Sequence, residues 1–204
     1  MPTGIAMRDA REQLFDAAER VLRREGPSAL TSRAVTTEAG CAKGVLHRHF
    51  DDFDDFLAEL VRDRIARLQS QGAALLAAAG TGTVTGHLAG MLTDLFGPVA
   101  TAIVGLVIVR DELRARLRAT TPSGLPLLTE AAAVIASYLA AERERGRIAP
   151  RADVDALAPA LIGAGHLLFA DRDAGPPSPE AVRKVVTTVL ADVVHEPPDE
   201  RTSP

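Results

Sequence analysis

The sequence predicts an all-α fold, and three observations carry that prediction. Apolar residues recur at helical spacing near both ends and between them: Leu14, Ala17, Ala18, Val21 and Leu22; then Phe56, Leu57, Leu60, Val61, Ile65 and Leu68; then Val182, Val185, Val186, Val189, Leu190 and Val193. No stretch alternates apolar and polar side chains over six positions, as a half-buried strand would. The Val/Ile-rich run 99–109 is the best strand by propensity. It continues into the polar, helix-favouring segment Arg110–Arg118 and would lack a partner strand, so it reads as a buried helix.

Glycine and proline divide the chain into about nine helices. Gly26-Pro27 ends the first, and Thr31 N-caps a short second one that Gly40 ends. A third runs from about Ala42 to Phe50. Asp51 and Asp52 cap a long fourth helix that fades around Gly80. The segments 80–86, 97–98, 120–126 and 146–152 separate the next three, and Gly175-Pro176-Pro177 divides the eighth from the ninth. Pro159 falls early in the eighth and is expected to kink or delay it. Residues 1–7 read as a flexible N-terminus. The tail 196–204, with three prolines and no large apolar side chain, reads as disordered.

Composition narrows the function. The 204 residues carry 23 Lys+Arg and 27 Asp+Glu, a formal charge of −4, which argues against a wholly basic coat for nucleic acid. The charge is uneven: residues 1–50 are net basic and the remainder net acidic. The single cysteine, Cys41, excludes an internal disulfide and any multi-cysteine metal site. No apolar leader opens the chain, and the run 99–109 is shorter than the roughly 20 residues a bilayer requires. The expectation is a soluble, cytoplasmic protein with no membrane partner. His87, His166 and His195 make no catalytic spacing, and nucleophile elbow, phosphate loop and His-Glu-x-x-His pair are all missing from the sequence, so no enzyme activity and no cofactor are expected. His47-x-His49 is no metal pair, because residues two apart on a helix face different ways.

Residues 31–50, TSRAVTTEAGCAKGVLHRHF, carry the functional signal. Two short helices meet at Gly40-Cys41, the pattern of a helix-turn-helix whose second helix enters a DNA major groove. Ala34, Val35 and Ala39 give the supporting helix a small apolar face, and Leu46 and Phe50 turn the next helix's core side toward it. Lys43, Gly44, Val45, His47 and Arg48 then face outward, offering positive charge, donors and a glycine that permits close approach.

From Leu14 through Leu57 the sequence resembles the N-terminal domain of TetR-family transcriptional regulators. The agreement is ordered: Ala17-Ala18, Gly26, Ala29-Leu30-Thr31, Arg33, Ala39-Gly40, Lys43-Gly44, Leu46, His49-Phe50, then a helix from near Phe53. The family usually has Tyr at His47, often Thr at Val45, and commonly a phosphate-holding Lys at Phe53. The resemblance implies a DNA-binding domain over 8–58 and a ligand-binding and dimerisation domain over 59–195. It makes Lys43, Gly44, Val45, His47, Arg48 and His49 the operator-facing set, with Thr31 at backbone phosphate and Arg33 at phosphate or an adjacent base. Arg48 is the candidate for guanine readout and Val45 for a thymine methyl.

The C-terminal part is less specific. Its aliphatic cluster is either a filled core or the wall of a cavity, and the resemblance favours a cavity for a small-molecule effector. With 3% aromatic residues, no Trp and one Tyr, a largely apolar ligand suits it better than a flat cation in an aromatic cage. His87, Asp94, Thr101, Arg110 and Tyr138 are the polar candidates for ligand contact. The resemblance also pairs the last two helices across a homodimer, with Leu161, Ile162, Phe169, Val182, Val186 and Val189 at the interface. Two recognition helices about 34 Å apart would read a palindrome.

The expected function is a sequence-specific regulator, a repressor whose homodimer leaves its double-stranded DNA operator when an effector binds. The alternative is a helical small-molecule-binding protein with a weakened or decayed DNA-binding module. Its motive is the acidic run Asp51, Asp52, Asp54, Asp55 and Glu59 beside the proposed DNA surface, although acids at a helix N-terminus equally serve as caps.

Overall fold

Ten α-helices make up nearly all the regular structure of the residues that the computed structural model describes, 4–119, 124–170 and 175–195, with residues 4–9 described by backbone alone. They are α1 (Gly4–Glu25), α2 (Ser32–Glu38), α3 (Leu46–His49), α4 (Phe53–Ala77) and α5 (Val84–Leu95), followed by α6 (Pro98–Val109), α7 (Asp111–Arg118), α8 (Leu128–Glu144), α9 (Val154–Phe169) and α10 (Pro179–Val189). A single antiparallel bridge, Ile148 to Val194, is the one extended pairing among the described residues. The fold is all-α, as the periodicity predicts.

The tenth helix comes from a break at Arg110, where one continuous helix was expected. Arg110 is extended, with φ −110° and ψ 102°, and its side chain turns to Asp54. That partner lies 56 residues away in sequence, beyond the reach of local propensity. Helix α9 runs through Pro159 from an N-cap at Asp153, whose carboxylate accepts from the Ala156 amide, so the proline does not delay its start. Helix α1 begins at Gly4, inside the segment 1–7 expected to be flexible. Residues 1–3 and the tail 196–204 lie outside the described residues.

The described residues form two compact units. One joins those up to 66 with those of 98–127; the other joins 67–97 with the described residues from 128 onward. In the first, α1 packs on α2 and on α6, around Leu14, Phe15, Val21, Leu22, Val35, Leu46 and Phe56. In the second, α8 packs on α9, and α10 on α5 and α9, around Leu88, Leu92, Tyr138, Leu161 and Val186. The apolar run 99–109 therefore belongs with the N-terminal helices and not with the second unit. Among the described residues no single helix is long and apolar enough to cross a membrane.

Candidate nucleic-acid interface

The helix-turn-helix is built from two local devices. Thr31, extended at φ −130°, caps α2 by accepting a 3.1 Å hydrogen bond from the Ala34 amide. At the other end Gly40 adopts φ +66°, a left-handed conformation that costs a residue with a Cβ. The Gly40 amide donates to the Thr37 carbonyl at 3.1 Å and the Cys41 amide to the Thr36 carbonyl at 3.0 Å. This paired closure ends α2 and turns the chain sharply. A 3-10 turn, Lys43–Val45, then leads into α3. The expected helix 42–50 is thus shorter, with its first turn wound more tightly.

Leu46 and Phe50 point inward and are buried, Phe50 within an aromatic cluster. Its ring lies 5.9 Å from Phe15 and edge-on to Phe56 at 5.1 Å, while Phe56 stacks on Phe53 at 5.6 Å. Four of the six phenylalanines in the chain therefore meet behind α3. Anchoring one side fixes the other: Thr31, Arg33, Lys43, Gly44, His47 and Arg48 are exposed. A Cβ placed on Gly44 would meet nothing within 4 Å, so the backbone there is open to an incoming surface. Val45 and His49 are half-buried. The His49 carbonyl accepts from Arg11 Nη1 at 3.4 Å, and the Arg11 guanidinium lies 4.6 Å above the Phe50 ring.

The acidic run beside this surface is engaged within its own unit. Asp52 Oδ1 accepts from the Asp55 amide at 2.8 Å and Asp55 Oδ2 from the Asp51 amide at 3.1 Å, which caps α4. Arg110 places Nε and Nη2 on Asp54 Oδ1, at 3.0 and 2.8 Å, and Arg116 pairs with Asp52. Glu59 holds Arg11 at 2.8 Å and Arg62 at 2.7 Å. The Asp55 amide, and then the Arg116 guanidinium, hold the Asp52 carboxyl below the usual carboxylate range, while Asp52 in turn raises Arg116. At the C-terminal end of α2, Arg20 and Arg24 likewise lower Glu38. Arg11 and Arg116 are supporting residues that spacing does not reveal, because their partners lie 48 and 64 positions away.

The five polar candidates for ligand contact divide between the units. His87 and Tyr138 meet, His87 Nδ1 standing 2.9 Å from the Tyr138 hydroxyl, with Tyr138 fully buried. His87 and Asp94 line a shallow groove of about 330 Å³ together with Gln71 and Met91. Thr101 and Arg110 belong to the first unit, where Arg110 is committed to Asp54.

The expected dimer set divides by burial within the chain. Leu161, Ile162, Val182 and Val186 are buried inside the single chain, because α9 and α10 pack on their own neighbours. A Cβ on Gly165 would stand 2.7 Å from the Phe96 ring, which shows how closely α9 lies against its neighbour. Phe169 and Val189 are half-buried. The outward face of α9 instead presents Ala156, Pro159, Ala160, Gly163 and Leu167, with Leu167 77% exposed.

Comparison with known proteins agrees with this geometry. Residues 14–60 match the family model of bacterial regulatory proteins of the tetR family. No curated protein matches the chain. Among solved structures, a transcriptional regulator of the TetR family from Agrobacterium tumefaciens superposes with a TM-score of 0.70 at 13% identity, covering 93% of this chain and 100% of that one. A TetR-family member from Streptomyces coelicolor A3 gives 0.60 at 23% identity, covering 89% and 98%. The regulator FadR from Bacillus subtilis, solved with stearoyl-CoA, gives 0.66 at 16% identity, covering 88% and 97%. The chain thus resembles TetR-family transcriptional regulators by sequence in its N-terminal helices and by fold over nearly its whole length.

Proposed function

We propose that this chain is a sequence-specific DNA-binding transcriptional regulator of the TetR type, acting in the cytoplasm as a homodimeric repressor on a palindromic operator. The observation that carries the reading is the exposed face Lys43-Gly44, His47 and Arg48, standing on an α3 whose opposite side is pinned by Leu46 and Phe50. A rigid helix of this kind presents donors and a guanidinium at fixed spacing, which is what base-edge recognition requires. Arg48 reads guanine, Val45 and His49 pack at the margin of the groove, and Thr31 and Arg33 meet phosphate. Asp52 and Asp55 cap α4, and Asp52, Asp54 and Glu59 pair with arginines, which supports this reading over a weakened DNA module.

One α3 covers too few base pairs for specificity, so a second copy is part of the reading. The apolar stripe Ala156, Ala160, Gly163 and Leu167 on α9 follows i, i+4, i+7, i+11 and suits a helix-to-helix contact between copies. A dimer resting on it dissociates in Leu167→Glu, seen by sedimentation, while the protomer keeps its helical signal.

The second unit would take the effector. FadR, a structural relative, was solved with an acyl-CoA, and a largely apolar small molecule with a polar anchor at His87, Asp94 or Tyr138 fits the composition of this chain. Effector binding lowers operator affinity only by as much as it prefers the DNA-free arrangement. Random-sequence selection with the purified protein, followed by anisotropy titration of the selected duplex, tests the reading. A DNA regulator enriches a palindrome, and a protein without a DNA module enriches nothing.

A further inference from the structure

Five acidic side chains sit in and around the first turns of α4, yet capping uses only two of them, Asp52 and Asp55. The Asp54 carboxylate goes instead to Arg110, at the α6–α7 break, and Asp52 is shared between its capping role and Arg116 on α7. Arg110 also places its guanidinium 5.8 Å from the Phe53 ring. Phe53 stacks on Phe56, Phe56 meets Phe50 edge-on, and Phe50 is the residue that ends α3. A continuous set of packed groups therefore joins Arg110, at the start of α7, to the back of α3. All of it lies within one compact unit.

We propose that Arg110 and Arg116 are positioning residues for DNA reading: through Asp54 and Asp52 they clamp the first turn of α4, and through Phe53, Phe56 and Phe50 that clamp fixes the attitude of α3. The inference rests on the DNA-binding reading above. Ion pairs this exposed add little to global stability, so the clamp acts on orientation and hardly on folding.

The test is Asp54→Asn, because two accounts predict opposite signs for it. If the carboxylate acts only through its charge, removing a negative group near DNA tightens binding. If it is one jaw of a clamp, removing it weakens binding even though the surface becomes less acidic. The expected result is a roughly two- to thirtyfold loss of affinity for the selected duplex, with an unchanged thermal midpoint. Arg110→Gln should show a similar loss, and the exchanged pair Asp54→Arg with Arg110→Asp should recover part of it. Affinity in Asp54→Asn equal to or tighter than the parent overturns the proposal. Should the parent protein bind no DNA, the DNA reading has failed by itself. The clamp is then judged by amide hydrogen exchange over Phe50–Leu57: faster exchange in Asp54→Asn upholds it, and unchanged exchange overturns it.

Discussion

In the unit made of residues up to 66 and 98–127, charged groups meet at the surface. The partners of Arg110–Asp54 and Arg116–Asp52 are between 24% and 51% exposed. In the other unit Glu142 is fully buried, where both carboxylate oxygens accept from the Gly80 amide at 3.2 Å and Arg147 stands 3.4 Å away. Arg147 Nη1 also donates to the Thr81 carbonyl at 3.0 Å and Nη2 to that of Gly82, so one ion pair closes the turn between α4 and α5. A buried pair of this kind is costly to break and locks the turn in place. Surface pairs cost little to break and suit an element whose attitude is set rather than locked. The chain thus has a more buried clasp in one unit and a more exposed one behind α3.

The largest expected effect of breaking that contrast lies in the second unit. Glu142→Ala leaves the Gly80 amide without its acceptor and Arg147 without its counter-charge, and should cost about 2–3 kcal/mol of stability, read as a lowered midpoint in thermal or urea unfolding. A change below 1 kcal/mol, within the range of a surface pair, would remove the distinction between the two clasps. Next in size is Arg48→Ala, expected to lower specific affinity by about 1–3 kcal/mol and to relax discrimination at one base pair. Equal loss on every sequence would instead make Arg48 a phosphate contact. The smallest effect concerns pH. The folded-state carboxyl of Asp52 titrates below its unfolded value because of the Asp55 amide and Arg116. Its contribution is therefore complete above the unfolded pKa, about 3.9, and is lost as pH falls through the lower folded value. NMR titration should place Asp52 below the ordinary range, and Arg116→Ala should move it part of the way back, since the amide remains.

How much of this could be read in the sequence depended on the distance over which each feature is decided. The α2 cap, the Gly40 turn and the inward pair Leu46 and Phe50 depend on neighbours within a few residues, and periodicity with turn chemistry finds them. The Arg110–Asp54 contact at the helix break and the pairing of the acidic run involve partners about 50 to 60 positions away, which no local pattern encodes. The α10 stripe teaches a third lesson. A helix with Val182 and Val186 on one face looks the same whether its own chain or a second copy covers that face, and here its own chain covers it. The usable outward surface on α9 consists of small side chains and a proline, with Leu167 the one large residue, and a search for large apolar residues passes over it. Of the ligand candidates, His87 and Tyr138 come together, while Arg110 serves the ion pair with Asp54.

The central claim is that the face holding Lys43, Gly44, His47 and Arg48 reads DNA, and a titration of the whole protein on selected and scrambled duplexes across several salt concentrations tests it most directly. Sequence-dependent binding is predicted, with log affinity falling linearly against log salt by about 0.9 for each phosphate contacted, and with Arg48→Ala collapsing the preference between the two duplexes. Binding that is weak on every duplex and insensitive to salt would contradict the claim.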